Sequence, residues 1–271
     1  MTAFTNSFRT GDGVKLAYDD EGSGPAVLLI HGFSCKAAHW AFQREVLLEA
    51  GYRVIGIDLR LHGRSEAPTQ GQRISRLGKD MRELIEHLNL ASVALVGHSM
   101  GVSVSLAYFS LYGMDRVSAF VSVDQSPKIL NDETWSWGLR SVEWSNLWDA
   151  VNHRVQWGDP AREPPMPPHV QQLLADAGAL TEYPVGSVRP LMLDHFSADW
   201  RDVIPAIDVP SWVVTGRHSP GFPLEGMQWF ADTLPNATLT VFEKSGHCPH
   251  WNEPEDFNRE LLVFLEKVGA S

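Results

Sequence analysis

Val93-Ala94-Leu95-Val96-Gly97-His98-Ser99-Met100-Gly101 is the stretch on which the reading of this chain turns. Residues 93–96 are a short, uninterrupted apolar run of the kind a strand buried on both faces carries. Gly97-His98-Ser99-Met100-Gly101 fits G-x-S-x-G, and residues 100–112 then read as a helix stopped by Gly113. By itself G-x-S-x-G is a weak pattern. Between a strand and a helix it has the setting of a nucleophile elbow, where a serine on a sharp turn lifts its hydroxyl above the sheet. The glycines have a steric reason, because only small neighbours let strand and helix approach so closely. The helix start adds unpaired N–H groups beside the hydroxyl. The bland alternative is a tight turn with a capping serine.

Working outward, the same alternation recurs on both sides. Residues 8–19 read as a hairpin turned at Asp12-Gly13, residues 25–30 as a buried strand, and residues 40–50 as a helix stopped by Gly51. Strand 53–58, helix 75–90 and strand 117–123 continue the rhythm, which resumes later with strand 212–215, helix 224–233, strand 238–242 and helix 254–267. The fold class is α/β, a mostly parallel twisted sheet with helices on both faces. Residues 127–200 break the rhythm. They hold Trp135, Trp137, Trp144, Trp148, Trp157 and Trp200 and a run of prolines, and no buried-strand pattern. The expected organisation is a core of residues 1–126 and 201–271 interrupted by a helical lid at 127–200.

Composition bounds the partners. With Lys+Arg 22 against Asp+Glu 33, the net charge of −11 repels phosphate backbones, so nucleic acid is not an expected partner. The longest apolar run is far short of a membrane span, and the N-terminus lacks the apolar core of a secretory signal. Two cysteines, Cys35 and Cys248, match no metal motif and read as free thiols of a cytoplasmic protein, monomeric or homodimeric. Neither a metal nor an organic cofactor is expected.

The chemistry needs more than a serine. His31-Gly32-Phe33 directly follows strand 25–30, so the backbone N–H groups of Phe33 and Met100 are the expected oxyanion hole. The base should be a histidine on a loop after the last strand, which selects His247 in Ser245-Gly246-His247, with His250 the competitor.

These pieces resemble the α/β-hydrolase fold superfamily. The likeness rests on His31-Gly32, on Asp58-Leu59-Arg60-Leu61-His62-Gly63-Arg64-Ser65, on the elbow at Ser99, and on Gly246-His247 followed by Glu253-Pro254. It covers the core on both sides of the insertion. The Asp58 segment is similar to the family's D-x-R-G-H-G-x-S turn, with Leu61 where a glycine is usual. The resemblance implies a triad acid after the penultimate strand, in a G-x-x-D pattern. Here that segment reads Gly216-Arg217-His218-Ser219, so a hydroxyl stands where the acid is due. The alternative is Asp124, at the end of strand 117–123, where branches of the superfamily such as the haloalkane dehalogenases carry their acid. Chain order Ser99, Asp124, His247 is preserved, with Glu225 and Asp194 as fallbacks. On this reading Ser219→Asp should change little.

The resulting expectation is an acyl-enzyme hydrolase, with Ser99 attacking an ester, lactone, thioester or amide carbonyl. A serine nucleophile argues against haloalkane dehalogenase and epoxide hydrolase chemistry, which the resemblance ties to an aspartate. Trp135, Trp137, Trp144, Trp148 and Trp157 are the expected walls of a pocket for an apolar acyl or aromatic small-molecule substrate, acyl-homoserine lactones and carboxylesters among the candidates. C–C hydrolase, lyase or perhydrolase chemistry on the same triad, or a slow-turnover ligand receptor, stay open.

Overall fold

The structure, a computed structural model, describes residues 5–179 and 188–269. The first residues of the N-terminal reading and residues 180–187 of the insertion lie outside the described residues.

Every other residue of the central strands faces the opposite side of the sheet, and in this chain both sides are apolar. In β3 (Ala26–Ile30), Leu28 and Ile30 join one buried cluster while Val27 and Leu29 join another. In β5 (Val93–His98) the same split separates Val93 and Leu95 from Ala94 and Val96. Two helical layers follow from this. On the first face lie α2 (Ile74–His87), α3 (Met100–Tyr112) and α7 (Leu224–Thr233); on the second lie α1 (Ala41–Glu49) and α9 (Pro254–Lys267), whose Phe257, Leu261 and Leu265 are buried.

The eight strands run in the order β1-β2-β4-β3-β5-β6-β7-β8, with β1 (Thr5–Arg9), β2 (Lys15–Glu21), β4 (Arg53–Ile57), β6 (Val117–Val123), β7 (Ser211–Gly216) and β8 (Ala237–Phe242) completing the set. Pairing is parallel from β4 through β8 and antiparallel for β1 with β2 and β2 with β4. The α/β expectation therefore holds, and the strand positions agree within a few residues. Because chain order reverses between β3 and β5, the loops at their carboxyl ends part and leave a crevice there, where open α/β sheets place their sites. Ser99 follows β5, residues 31–33 follow β3, Asp124 follows β6 and His247 follows β8, so all four converge on one end of the sheet.

Between β6 and β7 the chain makes a long excursion with three short helices among the described residues, α4 (Leu147–Val151), α5 (Pro168–Asp176) and α6 (Arg189–Ser197). Its buried Ile129, Leu139, Val142, Leu147, Leu191 and Phe196 belong to the same apolar cluster as α2 and α3. A further short helix, α8 (Pro249–Asn252), was not legible in the sequence pattern. No helix among the described residues is long and apolar enough to cross a membrane.

The Asp58 turn does structural work. Its carboxylate accepts the N–H groups of Ala37 at 2.8 Å and Arg64 at 2.9 Å and the Arg64 Nε–H at 2.6 Å. Leu61 takes the left-handed backbone (φ 72°), which explains why a glycine is usual there. The elbow is tighter still: a Cβ on Gly101 would sit 2.2 Å from the Ile30 carbonyl oxygen. Gly101→Ala should therefore cost roughly 3 kcal/mol or more, beyond ordinary overpacking, because backbone rather than a flexible side chain must yield. Urea denaturation of the variant measures it, and a loss below about 1 kcal/mol would contradict the packing account.

Candidate active site

Ser99 stands between β5 and α3 with φ 53° and ψ −123°, a strained conformation for a residue with a side chain. Its own N–H is spent on the Val123 carbonyl at 2.9 Å, which pins the turn to β6. Met100 is the first helical residue, so its N–H has no acceptor one turn back. The β3 loop presses against the same point, since a Cβ on Gly32 would lie 3.1 Å from the Ser99 Cβ and 3.0 Å from His98 Nδ1. That loop is locked by His31. Leu59 N–H donates to His31 Nε2 at 3.0 Å, so the proton is on Nδ1, which donates to the Gly32 carbonyl at 2.6 Å. Burial drives His31 down to about 3 and keeps it neutral for this task.

Asp124 is fully buried at the end of β6, itself with φ 46°, and its N–H bonds the Val214 carbonyl. Three side chains donate to its carboxylate: His247 Nδ1–H at 2.6 Å, Thr215 Oγ1–H at 2.5 Å and Ser219 Oγ–H at 2.8 Å. A buried carboxylate needs such a shell, because an unpaired charge there costs several kcal/mol. His247 feels two opposing influences. Burial pushes the imidazole down, but the hydrogen bond and charge of Asp124, with the charge of Glu163, outweigh it and raise it above 6.5.

The fallback acids do other work. Asp194 accepts the Ile74 N–H at 2.8 Å at the start of α2, and Glu225 sits in the first turn of α7. His250 is buried against Trp40 and His98, with ring centroids 4.6 Å from each, and burial lowers it well below its ordinary value. Cys35 and Cys248 are free thiols.

Ser99 and His247 line one cavity of about 210 Å³. Its apolar walls include Phe33, Ile129, Leu139, Trp157, Phe196 and Phe222; Gln125 and His195 are its other polar lining residues. Burial takes His195 down to about 3, and its Nδ1 has no hydrogen-bond partner among the described residues. Neither Gln125 nor His195 carried a sequence signal, since each reaches the cavity only through tertiary packing.

The tryptophan expectation needs correction. Of the five, Trp157 alone lines the cavity, its Nε1–H on the Ala150 carbonyl and its ring 5.1 Å from Phe196. Trp135 is buried elsewhere, donating to the Lys128 carbonyl and packed edge-on against Trp137 and Trp229 at 5.2 and 5.0 Å. Trp144 and Trp148 are 59% and 56% exposed. An indole needs both an apolar bed and an acceptor for its N–H, and the excursion meets those needs at its own seams.

The expectation that Ser219→Asp should change little is altered too, because an acid there would face the Asp124 carboxylate. Its hydroxyl bonds Asp124 rather than His247.

A family model described as the alpha/beta hydrolase fold matches residues 25–254. Non-heme chloroperoxidase CPO-A1 of Kitasatospora aureofaciens is 31% identical over 280 residues, covering 95% of this chain and 98% of that protein. A 2-hydroxy-6-oxononadienedioate/2-hydroxy-6-oxononatrienedioate hydrolase of Burkholderia vietnamiensis is 27% identical, covering 97% and 95%. The structure of the esterase EaEST from Exiguobacterium antarcticum superposes with a TM-score of 0.85 at 25% identity, covering 97% of this chain and all of that one. The chain belongs to the alpha/beta hydrolase fold family.

Two measurements follow from the Asp124 shell. Asp124→Asn should lower the titration midpoint of the His247 imidazole, read by NMR, since the ion pair that favours the protonated ring is lost; an unchanged midpoint would contradict the pairing. Ser219→Asp would set two carboxylates about 3 Å apart, so one is held protonated and its folded-state pKa rises. A raised carboxyl pKa gives stability that is present at low pH and lost as pH rises through that value. Ser219→Asp should therefore be roughly 2 kcal/mol less stable at pH 8 than wild type, with the gap closing toward pH 4 in urea titrations. Equal stability at both pH values would contradict it.

Proposed function

We propose that the protein is an acyl-transfer enzyme for small, neutral carboxylic esters. Ser99 is the nucleophile, His247 the general base and acid, and Asp124 the buried carboxylate that orients the imidazole and stabilises its charge once it has taken the Ser99 proton. The backbone N–H groups of Phe33 and Met100 form the oxyanion hole, and residues 127–200 act as a lid over the crevice. The observation that carries this reading is the shared cavity wall of Ser99 and His247 together with the 2.6 Å bond from His247 Nδ1 to a fully buried Asp124.

The reaction runs in two halves. Ser99 Oγ attacks the ester carbonyl as His247 takes its proton, and the tetrahedral oxyanion is held by the two N–H groups. His247 then protonates the departing alcohol, leaving the acyl group on Ser99. An acceptor, deprotonated by His247, attacks the acyl carbon and frees the serine. With water the product is the carboxylic acid. With hydrogen peroxide it is the peracid, an oxidant able to convert halide to hypohalous acid, and the likeness to a non-heme chloroperoxidase favours testing that acceptor.

Size and charge narrow the substrate. About 210 Å³ is little more than the space that holds a single aromatic ring, which favours short acyl or simple aromatic esters over long-chain lactones. Among the described residues no Lys or Arg lines the cavity, and His195 is neutral. A second substrate carboxylate would go unpaired, which disfavours the dicarboxylate-type substrates named for the C–C hydrolase relative.

On p-nitrophenyl esters, kcat/KM should fall at least about tenfold from a four-carbon to a ten-carbon acyl chain. Ser99→Ala should abolish turnover, and Asp124→Asn should lower kcat by about 10³–10⁴-fold with the fold intact. Near-normal rates in either variant would overturn the assignment. Stoichiometric labelling without turnover would instead support a ligand receptor. Monochlorodimedone chlorination with ethyl acetate, chloride and peroxide tests the second acceptor, and it should depend on Ser99.

A further inference from the structure

His247 is held at three points. Its ring donates to Asp124, and its carbonyl accepts the Nε2–H of His98 at 3.0 Å, both from strand ends of the sheet. The third point comes from the β6–β7 excursion. Glu163, just after the 3-10 turn Pro160–Arg162, accepts the His247 backbone N–H on Oε2 at 2.9 Å. This contact is closely built, because Gly246 leaves room for it: a Cβ there would lie 2.3–2.6 Å from the Glu163 carboxyl atoms.

Two arginines of the excursion grip the other half of the site. Arg162 donates to the carbonyls of Ser219 at 3.2 Å and Arg217 at 3.1 Å, and Arg140 Nη1 donates to the Ser219 carbonyl at 2.9 Å. The two loops that present His247 and the Ser219 partner of Asp124 are thus both clasped by the same excursion.

Glu163 lies close enough for its charge to act on the imidazole. Burial raises its carboxyl above the usual range, the His247 N–H and charge oppose that, and Asp124 adds to the rise. The other ionisable groups facing His247 are Asp124, which shares the effect, and His98, His250 and Cys248, which burial keeps uncharged. Arg140 and Arg162 bind the carbonyls of the 217–221 loop, and Arg140 lies near enough to Asp124 to feel its charge.

Resting on the reading of His247 as the base, we propose that Glu163 is a positioning residue that seats the His247 backbone, so that the base is aligned when the excursion is docked on the core. Two conservative variants separate reach from charge. Glu163→Gln keeps an acceptor for the N–H but loses the charge, and Glu163→Asp keeps the charge but shortens the reach.

The His247 imidazole titration, followed by NMR, should move down by about 0.5–1 pH unit in Glu163→Gln and by less in Glu163→Asp. The acidic limb of kcat/KM on p-nitrophenyl acetate should move with it, toward lower pH, because the base stays neutral further into acid. In Glu163→Asp kcat should fall several-fold with KM little changed, since the substrate cavity does not include Glu163. An unmoved His247 midpoint in folded Glu163→Gln, together with unaltered kcat in Glu163→Asp, would overturn the proposal. The NMR readout needs no turnover. A shifted midpoint in a protein without Ser99-dependent activity would therefore reject the proposed reaction while leaving the Glu163 contact standing.

Discussion

A carboxylate with no solvent exposure governs much of this structure. Asp124 carries its charge at the end of β6, and a lone charge in that position would be expelled or neutralised. It is kept by three donors from two parts of the chain, Thr215 and Ser219 at and beyond the end of β7 and His247 beyond β8. Those bonds fix where the last two strands must end relative to β6. The serine at 219 is part of the same solution, because it supplies a proton donor where a second acid would supply repulsion. A position that looks like a defect in the superfamily pattern is thereby accounted for.

The other half of the site is a matter of clearance. The β3 loop, β5 and the start of α3 meet at distances that admit no side chain at Gly101 and leave little room at Gly32, and Ser99 is held in a left-handed turn between them. Strain of this kind persists only where the surroundings over-determine it. Here the Ser99 N–H is tied to β6 and the β3 loop is latched by a neutral His31. The reversal of strand order between β3 and β5 opens the crevice, and the elbow projects into it.

Much of this was legible in the sequence, for a physical reason. Strands buried on both faces are short apolar runs, and runs such as 93–96 and 117–123 need no alignment to be seen. The pairing of Asp124 with His247 followed from chain order once Ser219 was recognised as a hydroxyl. What stayed hidden was whatever depends on contact across the β6–β7 excursion. Glu163 lies 84 residues from His247 in a proline-rich stretch with no periodicity, so nothing local marks it. The tryptophans misled because indole rings serve as structural seams as readily as pocket walls. Trp135 packs on Trp229, and Trp144 and Trp148 face outward.

On the proposed reaction Ser99 becomes covalently acylated because neutral His247 takes its proton and Asp124 stabilises the imidazolium that forms. Acid quench of the protein with a slowly deacylating aryl carbamate or ester, followed by intact-mass measurement and peptide mapping, tests this most directly. The account predicts one acyl group per chain, on the peptide bearing Ser99, forming far more slowly in Asp124→Asn. An adduct on another residue, or one at Ser99 that forms equally fast without the Asp124 carboxylate, would contradict it.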